Sequence, residues 1–153
     1  MPRQNTRLEC EGAEFLVLGW LLIQGIPSYK TYTNMPAYDV VATNPEKNKL
    51  ARISVKSRWT TGAAGFPIKN FDCDFVVLAK LNRGDKRGRL EVKDPEYFVF
   101  PTAVLRDVPR DGWSRMELKN IPQFEDYQDK WDLIRDFLGV KPSNREIILN
   151  DEE

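Results

Sequence analysis

The 153 residues are 41% hydrophobic and 30% charged, which suits one domain with its own core and is too apolar for a disordered chain. Twenty-three basic residues balance 23 acidic ones, so a nucleic-acid coat built on net charge alone is excluded, and the absence of histidine removes Ser-His-Asp and Cys-His pairs and His-held zinc or iron. Two cysteines, Cys10 and Cys73, cannot make a four-thiolate centre and fit a reduced, cytoplasmic chain; with no Walker-type loop, a P-loop nucleotide cofactor is excluded as well. Any working metal must then be a hard cation on carboxylates and carbonyls, magnesium foremost.

The first element is a helix from about Arg7 to Gln24. Thr6 and Glu9 have the spacing of a capping box, Gly25 stands ready as the left-handed stop, and Pro27 prevents continuation. Its apolar run Phe15–Ile23, broken by Gly19, is far short of the ~20 residues a bilayer needs and lies behind Glu9, Glu11 and Glu14. It reads as a buried helix covered on most sides, neither a membrane span nor a signal peptide.

Two β-rich runs follow, Tyr38–Thr43 and Leu50–Lys56, around the turn Asn44-Pro45-Glu46-Lys47-Asn48. Centring the turn near Glu46–Lys47 places Asp39 across from Ser54, with Lys56 a diagonal neighbour ~7–8 Å away. A carboxylate and an ammonium are thereby expected on one face of the hairpin. Further strands are expected at Cys73–Leu81, Tyr97–Pro101 and about Arg115–Leu118, the first two apolar enough for the middle of a covered sheet. Between those two, Asn82–Lys93 reads as an exposed basic loop.

A closing helix is expected from about Gln123 to Leu138, with Phe124, Tyr127, Trp131, Ile134 and Leu138 on one stripe and Gly139 as its stop. Past Pro142 the tail holds either a short strand at Glu146–Leu149 or a mobile end. Tyr97, Phe98, Phe100, Trp113 and Trp131 are read as core. The implied architecture is α+β: a central mixed or antiparallel sheet flanked by an N-terminal and a C-terminal helix, in a single domain over 1–153. Charge is uneven along it. Residues 28–110 hold fifteen Lys/Arg against nine Asp/Glu, and residues 123–153 hold four against nine.

Gly12-Ala13-Glu14, the Leu21-to-Gly25 helix end, Tyr38-Asp39-Val40-Val41-Ala42 and Ile53-Ser54-Val55-Lys56 together resemble the PD-(D/E)xK nuclease superfamily. There a helical glutamate precedes an aspartate at the start of a hairpin, and (D/E/Q)-x-K sits on the partner strand. The spacing is like that of archaeal Holliday-junction resolvases, Mrr-like enzymes and the cyanobacterial intron-encoded homing endonucleases with this fold. The pattern covers residues 12–56, and Tyr97–Pro101 resembles a strand of small bacterial members.

The resemblance implies a restriction-endonuclease-like core and a DNA endonuclease that uses Mg²⁺, with Mn²⁺ as a substitute. Asp39, Glu14 and the Val55 carbonyl would hold the metal, and Lys56 would orient the attacking water and offset charge on the phosphate. Ser54 departs from the pattern: a hydroxyl stands where relatives carry an acid or Gln, leaving the metal fewer anionic ligands.

Plainer readings exist for each residue. Asp39 could close a turn, Lys56 could snorkel to water, and Glu14 could pair with Arg58 or Lys56. Asp72 and Asp74 read as strand-edge solubilisers. Around the site, Lys30, Tyr32, Asn34, Arg58, Trp59 and Thr60 are candidate DNA contacts, with Thr61 beside them and a flexible Gly62–Gly65 loop behind. Lys86, Arg87 and Arg89 are a second phosphate candidate or a solvated tip.

Three functions remain open: a metal-dependent endonuclease acting as a homo-oligomer, a weakened nuclease fold that binds DNA or a partner without cutting, and an interaction protein using its acidic C-terminal helix.

Overall fold

A computed structural model describes residues 6–31, 38–112 and 114–141 of the chain. Helix α1 (Thr6–Ile23) ends as its sequence punctuation requires. Gly25 adopts φ +79°, its N–H donates to the Leu22 carbonyl, and the Ile26 N–H donates to Leu21. That is a Schellman close, which a residue with a Cβ would strain.

From Pro27 the chain enters a five-stranded mixed sheet built from β1 (Ser28–Lys30), β2 (Val40–Asn44), β3 (Lys49–Arg58), β5 (Phe75–Lys80) and β6 (Glu96–Pro101), in that spatial order. β1, β2 and β3 pair antiparallel, β3 and β5 parallel, and β5 and β6 antiparallel. The hairpin register is Val40↔Ile53 and Val41↔Arg52, as the turn position requires. A 3₁₀ turn at Pro45–Lys47 closes it, with Asn48 left-handed at φ +52°. A separate two-stranded ribbon pairs β4 (Gly65–Pro67) with β7 (Arg115–Glu117), and a short helix α2 (Thr102–Arg106) follows β6.

The two faces of the sheet carry different cores. On one, Ala13, Val17 and Leu21 of α1 meet Val40, Ala42, Ala51, Ile53, Val77 and Ala79, together with Trp131, Ile134 and Leu138. On the other, Val76, Leu78, Phe98 and Phe100 meet Phe66, Ile68, Leu105, Met116 and Ile121 from the ribbon, α2 and their connections. Both long-range helices thus lie on one face. Tyr97, Phe98, Phe100 and Trp131 are core, as read from sequence.

Three expectations change. α1 is not covered on most sides: its inner stripe is buried at four-residue spacing, but Phe15, Leu16, Leu22 and Ile23 are exposed, Ile23 by 73%. The closing helix is broken. A 3₁₀ turn at Phe124–Tyr127 is followed by an extended Gln128 bridged to Phe98, a left-handed Asp129, and only then α3 (Asp132–Leu138). The five-residue stripe is consequently shared between both cores. Phe124 and Tyr127 pack on the ribbon side, while Trp131, Ile134 and Leu138 pack under α1, so the chain must cross the β6 edge between them.

The third change concerns the loop expected to be flexible at 62–65. It runs into β4, where a Cβ on Gly65 would stand 2.4 Å from the Met116 carbonyl oxygen, so only glycine fits the ribbon. Trp113 and the tail from residue 142, including 146–149, lie outside the described residues. Among the described residues no helix is long and apolar enough to cross a membrane.

Candidate active site

Asp39 is pinned where the chain enters β2. Its N–H donates to the Ile53 carbonyl at 2.8 Å, and its carbonyl accepts from the Thr31 N–H at 3.0 Å. One carboxylate oxygen accepts the Val55 N–H at 2.8 Å. The simple register would pair Asp39 with Ser54, but its ladder bond goes to Ile53 instead, so the strand slips by one here and the carboxylate swings across the edge of β3. The carboxylate bond runs across the hairpin to Val55, and it is what gives the acid a fixed position.

Glu14 reaches this point from α1, three residues before the buried Val17. Its side chain is 18% exposed. Burial, then a hydrogen bond with Asp39 and the charge of Asp39, push its carboxyl up to about 7, against the opposing pull of Lys30. Two carboxyls sharing a half-buried corner cannot both ionise cheaply without a cation. The backbone adds another oxygen: in an antiparallel ladder N–H and C=O of one residue leave on the same side, so the Val55 carbonyl shares the edge its N–H presents to Asp39.

The sequence offered Arg58 or Lys56 as partners for Glu14; the structure supplies Lys30. Its ammonium stands 3.3 Å from Glu14, contacts Glu11, and lies 4.2 Å from the centre of the Phe15 ring. The Lys30 side chain is 4% exposed. It was expected at the DNA surface and is instead an interior member of the acidic corner. Glu11 was not singled out, although its i, i+3 spacing to Glu14 put both on one side of α1.

Lys56 pairs with Leu78 on β5 and is half-buried. Side chains alternate along a strand, so it leaves on the face opposite Val55, which packs with the α1 layer. Among the described residues it forms no ion pair, with Asp39 or otherwise. The expected meeting of Asp39 and Lys56 on one face is therefore not a contact, because the Asp39 carboxylate is engaged by Val55. Ser54, opposite Val76, is buried, and its backbone hydrogen-bonds the Cys73 thiol.

The outer candidates separate. Tyr32 and Asn34 lie outside the described residues. Arg58 is half-buried and Thr60 exposed; Trp59 lines an apolar groove of about 610 Å³ with Leu8, Leu16, Leu81 and Pro95. Lys86, Arg87 and Arg89 project from an exposed turn organised by Asp85, whose carboxylate accepts the N–H groups of Arg87 and Arg89. Asp74 is more than a solubiliser: it accepts the Arg52 N–H at 2.8 Å and ties β3 to the start of β5.

The corner suits a hard cation sparingly. Among the described residues no cluster of three or more acids or cysteines could hold a metal ion. Two carboxylates and a carbonyl are nonetheless the donor set magnesium uses when substrate phosphates and water complete its shell.

No family model and no curated protein matches the chain. Among the solved structures that resemble the chain are two nucleases. One is the bacterial homing endonuclease I-Ssp6803I, at 21% identity over 86% of this chain and 92% of that one, with a TM-score of 0.59. The other is Hjc, a Holliday junction resolvase from the hyperthermophilic archaeon Archaeoglobus fulgidus, at 18% identity over 74% and 88%, with a TM-score of 0.48. The first likeness shows the fold: the sheet and its flanking helices are those of the restriction-endonuclease-like architecture that the sequence motif resembles.

Proposed function

We propose that this chain is a magnesium-dependent DNA endonuclease that hydrolyses phosphodiester bonds as a homo-oligomer. The observation that carries the reading is the Glu14–Asp39 carboxyl pair, with Asp39 fixed by the Val55 N–H and Glu14 pushed up to about 7 by burial and then by Asp39. The fold shared with the homing endonuclease I-Ssp6803I supports DNA as substrate.

Glu14, Asp39 and the Val55 carbonyl would hold the cation. When bound, magnesium supplies Lewis acidity to the scissile phosphodiester and acidifies water. Asp39 acts as the fixed ligand, because three backbone bonds leave it no other pose. Glu14, whose carboxyl burial and Asp39 push up to about 7, would be the second carboxylate to hold the ion once deprotonated. Lys56, which forms no ion pair among the described residues, would bring its ammonium on a four-carbon stem to order the attacking water and offset charge building on the phosphate. Arg87, Arg89 and Lys86 on the exposed turn are placed to hold the DNA backbone. One such corner cuts one strand, so duplex cleavage requires two copies.

The buried Ser54 favours a second reading, a weakened nuclease fold that binds DNA or a partner without turnover. One experiment separates the two. Supercoiled plasmid and a panel of nicked and branched DNAs are incubated with Mg²⁺ or Mn²⁺, with and without chelator. Nicking that chelator abolishes, and that Asp39→Asn or Lys56→Met lowers by about 100-fold or more, is expected. Intact substrates throughout, with salt-sensitive DNA binding that Lys56→Ala leaves unchanged, would establish the second reading in its place.

A further inference from the structure

Lys30 stands in the acidic corner, and neither the hairpin motif nor the proposed chemistry uses it. It sits on β1 opposite Val40, the residue after Asp39, and its ammonium turns inward beneath α1. A lysine 4% exposed needs compensation for lost hydration, and among the described residues it finds it in Glu11, Glu14 at 3.3 Å, and the face of Phe15. Two of these lie on consecutive turns of the same helix. Only Glu14 also touches Asp39.

We propose that Lys30 is a resident counter-cation that competes with the divalent ion for Glu14 and so sets how strongly this corner takes up metal. The inference rests on the metal-site reading above.

The physical argument is one of charge and distance. While no metal is bound, the ammonium offsets two carboxylates that would otherwise repel, and the corner stays assembled. A divalent ion entering between Glu14 and Asp39 must share Glu14 with a positive charge a few ångströms away, in a half-buried setting where screening is weak. Glu11, 47% exposed, makes the exchange feasible. When Glu14 turns to the ion, Lys30 retains Glu11 and is never left as an unpaired buried charge. Metal affinity is thereby held low, and DNA phosphates are needed to complete the binding.

The test is direct Mn²⁺ binding to the full chain without DNA, read from the paramagnetic resonance signal of free Mn²⁺. Lys30→Met is expected to bind Mn²⁺ about tenfold tighter or better, and Lys30→Arg to stay within about twofold of the parent. Glu11→Gln is a mild change at an exposed position; it removes one of the two carboxylates that Lys30 shares, shifts its charge toward Glu14 and is expected to bind several-fold more weakly. Asp39→Asn should remove binding from the parent and from Lys30→Met alike. Unchanged or weaker binding by Lys30→Met, or unchanged binding by Glu11→Gln, overturns the role of Lys30 while Asp39→Asn still reports on the site. Binding that survives Asp39→Asn overturns the site reading itself, and the Lys30 proposal with it.

Discussion

At Glu14 a single side chain joins stability to pH. Its folded-state value near 7 lies above its ordinary value of 4.5, so the folded chain binds more protons than the unfolded one between those limits. The contribution is complete below about pH 4.5 and is lost as pH rises through 7. Metal-free protein should accordingly lose stability across that window, as read by urea titration, and Glu14→Gln should flatten the slope. A parent profile unchanged by Glu14→Gln would show that the Asp39 contact is not coupled to folding. Legibility at this scale was uneven. Glu14 and Asp39 could be read because an acid entering an apolar helix, and an acid leading a hairpin, are local signals. Lys30 could not be: a lone lysine in a short polar segment carries no mark of burial, and only the packing of β1 under α1 makes it interior.

Among the elements, the sharpest sequence dependence is in the β4–β7 ribbon. Gly65 approaches Met116 so closely that Gly65→Ala must displace backbone, and a loss of about 1–3 kcal/mol in urea unfolding is expected. A substitution within about 0.5 kcal/mol of the parent would mean that the ribbon opens freely and covers the second core loosely. The glycines and alanines around it read as flexible in sequence, because close backbone approach and flexibility use the same residues. The closing helix shows the reverse error. Its apolar spacing was a true signal of burial but not of one continuous face, since a stripe at helical period can be divided between two cores when an extended residue such as Gln128 intervenes.

For the molecule as a whole, the described residues form one Glu14–Asp39 corner per chain. If duplex DNA is the substrate, sedimentation velocity should find at least two chains associated, and a strict monomer at cleaving concentrations would restrict the activity to single-strand nicking. The charge asymmetry of the sequence has a partial counterpart in the fold. The basic loop with Lys86, Arg87 and Arg89 stands exposed, whereas the acids of α3 flank a helix packed beneath the sheet face that α1 also covers.

The sequence by itself determined the elements with local causes: α1 and its glycine stop, the hairpin and its register, the apolar strands β5 and β6, and the pairing of an acid-led hairpin with a helical glutamate. These depend on residues within a turn or two of one another, where capping, alternation and turn chemistry act. Tertiary structure alone decided that both α1 and α3 share a face, that Asp39 slips to bond Ile53 and Val55, and that Lys30 is enclosed with Glu11 and Glu14. Those outcomes turn on which surfaces are brought against each other across the sheet, a competition among burial, charge and backbone satisfaction that no short window of residues contains.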